Sequence, residues 1–270
     1  MRRCIELASK NVGYTYPNPL VGSVIVCDNK IIGEGSHEKY GESHAEVNAI
    51  NSVKDKGLLK NSTLYVNLEP CNHYGKTPPC TEAIINSNIK KVVIGSQDPN
   101  KLVDGSGIEK LRSSGCDVSV GILNKECDEL NKRFFTYHKL KRPFIILKWA
   151  ESKDGFISPI KSINTLKKVN WISGEDAKKL SHKWRSEEHS ILVGVQTIID
   201  DDPILTTRFV EGRSPIRFVL DPNSRIPLDS RILSDTVKTI ILSKRENRLI
   251  TNYTKAIEFS PQYGNAYYNR

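Results

Sequence analysis

The sequence predicts an α/β protein built from two successive units. Three observations carry that expectation. Strand-like and helix-like segments alternate through the first 120 residues, an aromatic and basic stretch at 134–143 interrupts them, and a second alternation begins beyond it. The chain has 270 residues, 38% hydrophobic and 26% charged, which suits two packed cores and argues against global disorder. No apolar run approaches the ~20 residues needed to span a bilayer. The start, Met1-Arg2-Arg3-Cys4-Ile5-Glu6, meets an acid before any signal-peptide core could form, so a cytoplasmic protein without membrane contact is expected. The net charge of +9 is interspersed, +3 over residues 1–141 and +6 over 142–270. Such mixing reads as a solvated surface suited to phosphorylated metabolites, not as a nucleic-acid groove.

Taken in order, residues 2–10 read as a short helix. Leu20–Val26 and Lys30–Glu34 read as strands joined by the turn Asp28-Asn29. His44–Ser52 has helical spacing after Gly41-Glu42-Ser43. Thr63–Leu68 is a β-rich run ending in Glu69-Pro70-Cys71, hence a buried strand. Cys80–Ser87 reads as a helix, Lys91–Gly95 as a strand, Gly107–Arg112 as a helix and Asp117–Val120 as a strand. This spacing requires a partly parallel sheet. After the boundary come a strand at Phe144–Trp149, a helix at Gly174–Ser186, and strands at Ser190–Gly194, Arg217–Leu220 and Val237–Leu242.

The six cysteines sit at 4, 27, 71, 80, 116 and 127. Without a secretory signal a disulfide framework is not expected, and four of them lie in ordinary core-like contexts. The other two stand out. His44-Ala45-Glu46 opens a helix, Pro70-Cys71 follows a strand, and Cys80 comes nine positions later. His44, Cys71 and Cys80 supply three of the four positions of a tetrahedral zinc site, leaving the fourth for water. Zinc brings the pKa of that water towards ~7, and Glu46 can move its proton without ligating the metal. This is the H-x-E and P-C pattern of zinc nucleobase deaminases, with eight residues between the cysteines in place of two.

That insert, Cys71-Asn72-His73-Tyr74-Gly75-Lys76-Thr77-Pro78-Pro79-Cys80, resembles the deaminase half of the bifunctional riboflavin-biosynthesis deaminase–reductases. So do Pro17-Asn18-Pro19-Leu20-Val21-Gly22, Gly33-Glu34-Gly35-Ser36-His37, Gly41-Glu42-Ser43-His44-Ala45-Glu46 and Asp98-Pro99-Asn100, in order from residue 2 to about 142. The resemblance implies a cytidine-deaminase-like three-layer α/β/α domain over 1–142. It also implies a diaminopyrimidinone ribosylamine phosphate as substrate, with Asn18, His37, His73 and Lys76 lining the pocket and Asp98 and Asn100 near its edge. A lysine suits an anionic phosphate. Equally, Asn18 between two prolines suits a turn, the two histidines could be satisfied polar side chains, and Lys76 a solvated loop charge.

Residues 144 to roughly 233 resemble the reductase half of the same family, which is similar to dihydrofolate reductases in fold. Leu147-Lys148, Ser152-Lys153-Asp154-Gly155, Trp171-Ile172-Ser173, Ile191–Thr197, Asp201–Arg208 and Val219-Leu220-Asp221 carry the match. It implies a partial dihydrofolate-reductase-like α/β domain at 143–245 that uses NADPH. Ala150, Trp171, Thr197 and Asp201 would contact the cofactor, and Arg185, Leu205 and Arg208 the substrate. The two arginines could also be plain surface charges, and Trp171 core packing. No Gly-rich phosphate loop follows Leu242. Residues 253–270 instead resemble the junction of two tetratricopeptide repeats, so the expectation is a reductase cut short and impaired, with a tail at 246–270.

Two other readings compete. A nucleoside or tRNA-base deaminase would carry P-C-x-x-C and a basic, aromatic groove, and the chain offers neither. A non-catalytic interaction protein around a structural zinc would need a fourth protein ligand, for which His73 is the close candidate. Homo-oligomerisation is left open, since the family tends to assemble through its reductase domain.

Overall fold

The computed structural model describes residues 1–158 and 172–244, and the backbone of 257–258. It divides into two compact units at Phe144/Ile145.

The first unit is a five-stranded sheet of order β2-β1-β3-β4-β5. Helix α1 (Arg2–Ser9) leads into β1 (Gly22–Cys27) and β2 (Lys30–Ser36). These two pair antiparallel through Asp28 and Asn29, both at positive φ, 48° and 59°, as a two-residue hairpin turn demands. β3 (Thr63–Leu68) is antiparallel to β1, whereas β4 (Lys91–Ser96) and β5 (Asp117–Val120) continue in parallel, each reached by a crossover helix. Those helices are α3 (Cys80–Asn86) and α4 (Ser106–Ser113). α2 (Ala45–Ser52) connects β2 to β3.

Alternation along the strands sorts the side chains into three layers. Ile25, Leu64, Val66, Val92 and Ile94 share a core with Ala49 and Ile50 of α2, Ile84 of α3 and Leu111 of α4. Their neighbours Val24 and Tyr65 face the other way, onto Cys4 and Leu7 of α1. Two helices that the sequence did not single out follow β5: α5 (Asn124–Leu130), in a stretch given no element, and α6 (Lys132–Leu140), which overlaps the expected boundary at 134–143. The remaining first-unit elements fall within about two residues of their expected limits.

The second unit is a parallel sheet of order β6-β7-β8-β9. It contains α7 (Glu175–Glu187), β6 (Ser190–Gly194), α8 (Val195–Asp201), β7 (Ile216–Leu220), β8 (Thr239–Ser243) and the two-residue β9 (Ile257–Glu258). Its core is Val195, Ile198, Leu205, Val219, Ile226, Ile232, Leu233 and Ile241. Beneath it Arg217, fully buried, donates to both carboxylate oxygens of Asp235 and to the carbonyls of Ile204, Ile232 and Val237. A buried guanidinium is tolerable only when so completely paired.

The expected strand at Phe144–Trp149 does not form. The segment carries no strand pairing among the described residues, and Leu147 is 78% exposed. β-propensity is a preference for a half-buried pleated surface, and without a partner to complete the ladder it does not produce a strand. The expected tetratricopeptide tail is corrected at the two of its residues that are described. Ile257–Glu258 extend the sheet as β9, parallel to β8, where a repeat would continue as helix. The rest of 246–270, and Trp171, lie outside the described residues.

One close approach sets the position of α2. A Cβ on Gly35 would stand 2.3 Å from the Ala49 backbone nitrogen and 2.5 Å from the Ala45 carbonyl oxygen. Gly35→Ala must therefore push away the helix that begins beside His44. The expected loss is about 1–3 kcal/mol of stability, as for other overpacked sites. Thermal unfolding together with zinc content should show both a lower melting temperature and weaker metal retention.

Candidate active site

The chemistry-bearing residues of the first unit come from three element ends. His44 is the N-cap residue of α2, with Glu46 in the first turn. Cys71 follows β3, and Cys80 opens α3. His44 Nδ1 lies 3.3 Å from Cys80 Sγ and 3.5 Å from Cys71 Sγ, and the three donor atoms all fall within 4.8 Å of one another. Tetrahedral zinc with bonds near 2.0–2.3 Å holds such ligand atoms roughly 3.5–3.8 Å apart, so the trio fits that ion. Among the described residues no other group of three or more His, Cys, Asp or Glu side chains comes together this way.

The local electrostatics agree. Hydrogen bonds from Cys80 and His44 hold the Cys71 thiol well below the ordinary thiol range, and Cys71 in turn raises His44. Two thiols and an imidazole sharing protons over these distances are what a dication would deprotonate. Glu46 is 3% exposed, and burial, reinforced by Cys71, pushes its carboxyl up to about 7. A carboxyl poised near neutrality can both take and return a proton.

These groups open into a cavity of about 450 Å³, into which Asn18, His37, His73, Lys76, Asp98 and Asn100 all project. The structure therefore brings together every first-unit residue the sequence singled out, each with different partners. His37, 2% exposed, donates from Nδ1 to the Ser43 carbonyl and accepts at Nε2 from the Asn18 amide, which leaves the Asn18 carbonyl oxygen for the cavity. His73 Nδ1 is buried without a hydrogen-bond partner, as suits an atom awaiting a ligand. Lys76 rests over the Tyr40 ring, 4.1 Å from its centroid. Asp98 accepts from the Asn100 N–H at 2.7 Å.

Sequence reasoning gave no role to Glu69, although it quoted the Glu-Pro-Cys run. The Glu69 carboxylate is 4% exposed and accepts four backbone N–H groups, from Asp98, Gly105, Gly107 and Ile108. It joins the cavity wall at 98–103 to the chain two residues before a zinc ligand. Asn67 and Asn131 were missed as well. Both amides bond to the Leu20 carbonyl, and Asn131 also accepts the Leu20 N–H, fixing the strand entrance beside Asn18. With 111 residues between Asn131 and Leu20, no local pattern could signal the pair.

In the second unit the residues expected to meet substrate come together around Thr206. Arg185 on α7 donates to the Thr206 carbonyl, and Arg208 to the Thr206 hydroxyl. Leu205 between them in the fold is 6% exposed with φ at 58°, a left-handed conformation that a leucine adopts only under constraint. Of the cofactor-side residues, Thr197 lies in the first turn of α8, just beyond the C-terminal end of β6, with Asp201 one turn further on. That is the edge of a parallel sheet at which α/β proteins bind nucleotides, so the placement fits NADPH. Ala150 lies in the extended segment before α7.

A His-Cys-Cys trio with an open position, a buried neighbouring carboxylate and a cavity define a zinc-dependent hydrolytic deaminase centre. Comparison with known proteins extends this. Residues 1–96 match the cytidine and deoxycytidylate deaminase zinc-binding region, and residues 143–257 match the RibD C-terminal domain. The riboflavin biosynthesis protein RibD of Aquifex aeolicus is 47% identical over 249 residues, covering 92% of this chain and 68% of its own. That of Synechocystis is 42% identical, with 91% and 65% covered. A solved structure of the diaminohydroxyphosphoribosylaminopyrimidine deaminase/5-amino-6-(5-phosphoribosylamino)uracil reductase of Thermotoga maritima superposes with a TM-score of 0.83 at 42% identity, over 92% of this chain and 69% of that one. The chain belongs to the RibD family of riboflavin-biosynthesis enzymes, in which a zinc-dependent deaminase is joined to an NADPH-dependent reductase domain. It spans 60 to 68% of the length of the curated relatives from A. aeolicus, Actinobacillus pleuropneumoniae and Synechocystis. Among the described residues, no helix is long and apolar enough to cross a membrane.

Two outcomes follow from the cavity wall. Glu69→Gln replaces half of a four-bond acceptor with a donor, so about 2–3 kcal/mol of stability should be lost. The fall should be visible as a lower melting temperature, with zinc still bound at saturating metal. The second concerns pH. Burial first, then the nearby charges of Glu69 and Cys71, raise the Asp98 carboxyl from its ordinary 3.8 to about 7. A group whose folded pKa is raised contributes stability that is lost as pH climbs through the folded value. Asp98→Asn keeps the acceptor for Asn100 and cannot titrate, so its melting temperature should fall less than the parent's between pH 5 and pH 8.

Proposed function

We propose that the first unit hydrolytically deaminates 2,5-diamino-6-(5-phosphoribosylamino)pyrimidin-4-one to the corresponding aminouracil. The single observation that carries this is the open His44-Cys71-Cys80 trio with Glu46 buried beside it, where His44, Cys71 and Glu46 line the cavity. Zinc, held by His44, Cys71 and Cys80, would supply an activated water at neutral pH. Glu46 is placed to take a water proton and return it to the leaving group. The oxygen becomes bonded to the ring carbon, the carbon–nitrogen bond breaks, and the amine departs as ammonia. Asn18 and His73 are suited to reading the pyrimidine edge, and Lys76 to drawing the phosphate towards the mouth of the cavity.

The second unit, on this reading, reduces the ribosyl group of the deaminated product to a ribityl chain. NADPH would supply the hydride, and Thr197, Asp201, Ala150 and Trp171 would be the residues that hold it. Arg185, Leu205 and Arg208 meet the substrate. The reading is that of a cytoplasmic enzyme acting on a small phosphorylated pyrimidine, without nucleic acid, and with self-association left to its second unit. The match of the family over both units supports it, as does the name of the Thermotoga relative.

The test is Glu46→Gln, assayed for zinc content and for ammonia released from the diaminopyrimidinone phosphate. Zinc should remain near one per chain while ammonia release falls at least about a hundredfold, the scale of a lost general acid–base group. Unchanged ammonia release would falsify the assignment.

A further inference from the structure

The second unit contains a contact that cannot be a hydrogen bond as it stands. His182, on α7, is 3% exposed. Its Nδ1 accepts the backbone N–H of Arg208 at 2.9 Å. A neutral imidazole that uses its Nδ1 lone pair in this way carries its proton on Nε2. Yet Nε2 stands 3.2 Å from Arg185 Nη1, which is also a donor and nothing else. Protonating the ring adds a third positive charge without resolving the opposition.

No carboxylate among the described residues bonds to His182, Arg185 or Arg208, and Lys178, on the same helix, is paired with Glu175. The Phe209 ring meets His182 edge-on, with ring centroids 4.6 Å apart, and Lys178 Nζ lies 5.5 Å from the Phe209 centroid. Arg185 and Arg208 each bond to Thr206, and neither pairs with a carboxylate among the described residues. Burial and then mutual repulsion lower Arg185, and burial with the charges of Arg185, Arg208 and Lys178 lowers His182 to about 4. With Nδ1 accepting the Arg208 N–H, the neutral imidazole carries its single proton on Nε2, where it opposes a guanidinium N–H of Arg185. Two opposed donors are reconciled by an acceptor oxygen towards which both can turn, and with Arg208 bonded to the same Thr206 as Arg185 the group suits an anion with several oxygens.

We propose that His182 is a positioning residue and third donor of the anion site in the second unit. It holds the Arg208 backbone through Nδ1 and offers Nε2–H, beside Arg185, to an oxygen of a sugar phosphate monoester. The proposal rests on the reading above that Arg185 and Arg208 meet the phosphorylated substrate, and it adds a residue that reading does not contain. It also accounts for the constrained backbone at Leu205, since Thr206 anchors both guanidinium groups while the next residue but one, Arg208, is tied to His182.

The test measures binding of ribose 5-phosphate to the full zinc-loaded chain by calorimetry, with adenosine 2′,5′-bisphosphate as the alternative phosphate. Three variants are compared. Arg185→Met tests the underlying reading. His182→Asn keeps an acceptor near the Nδ1 position but lacks the far donor, and His182→Gln reaches the far position with an amide N–H. Ribose 5-phosphate should bind the parent, and Arg185→Met and His182→Asn should each weaken it about tenfold or more, the worth of a hydrogen bond to a charged group. His182→Gln should recover part of that loss. In the parent, nitrogen NMR should show Nε2 protonated without titration from pH 5 to 8, and its resonance should shift when the phosphate is added.

Weakening by Arg185→Met with parental affinity in His182→Asn overturns the role of His182 alone. No effect of Arg185→Met overturns the reading beneath it. An unmoved Nε2 resonance at saturating phosphate overturns the proposal even if both His182 variants fail to fold. A dependence on His182 confined to adenosine 2′,5′-bisphosphate assigns the site to the cofactor, against the substrate assignment made here.

Discussion

The deaminase half depends on bringing one imidazole nitrogen and two sulfurs within reach of a single ion while keeping a fourth position free. No one element can do this. His44 stands at a helix start, Cys71 at a strand end and Cys80 at a second helix start, so the trio exists only when β3 is seated between β1 and β4 and both helices lie on the same face. Catalysis is in that sense a consequence of sheet register. The ion, once bound, returns part of its binding free energy as stability of the same arrangement.

Around the trio, buried polar side chains do the fixing that apolar packing cannot. Glu69 gathers two N–H groups of the loop after β4 and two of the first turn of α4, which have no intrahelical partner. Asn67 and Asn131 do the same for Leu20, and His37 sets the orientation of Asn18. The cavity wall is thereby coupled to the metal site through hydrogen bonds whose loss would leave buried donors unpaired. The second unit follows the same rule. Arg217 carries the interior hydrogen bonding beneath the sheet, and His182 ties α7 to the backbone that presents Arg208.

Much of this was legible in the residues alone. Thr63–Leu68 is a run of β-formers buried on both faces and needs no partner information to be recognised, and it forms a strand over just those six residues. The metal trio was legible because zinc chemistry restricts both residue type and sequence context. Phe144–Trp149 shows the opposite case. Its composition is as strand-like as that of β3, but composition does not say whether a neighbour is present to complete the ladder. Glu69, Asn131 and His182 were opaque for a related reason. Their importance lies in partners 26 to 111 residues away, and a single charged or amide side chain has no periodicity to reveal it.

The central claim is that three protein ligands hold zinc with one position left for a small oxygen ligand. X-ray absorption at the zinc edge of the purified chain reads the coordination sphere directly. The account predicts two sulfurs near 2.3 Å and two lighter atoms near 2.0–2.1 Å, one an imidazole nitrogen and the other an exchangeable oxygen. A closed sphere, with a third sulfur or a second imidazole in the fourth position, would contradict it.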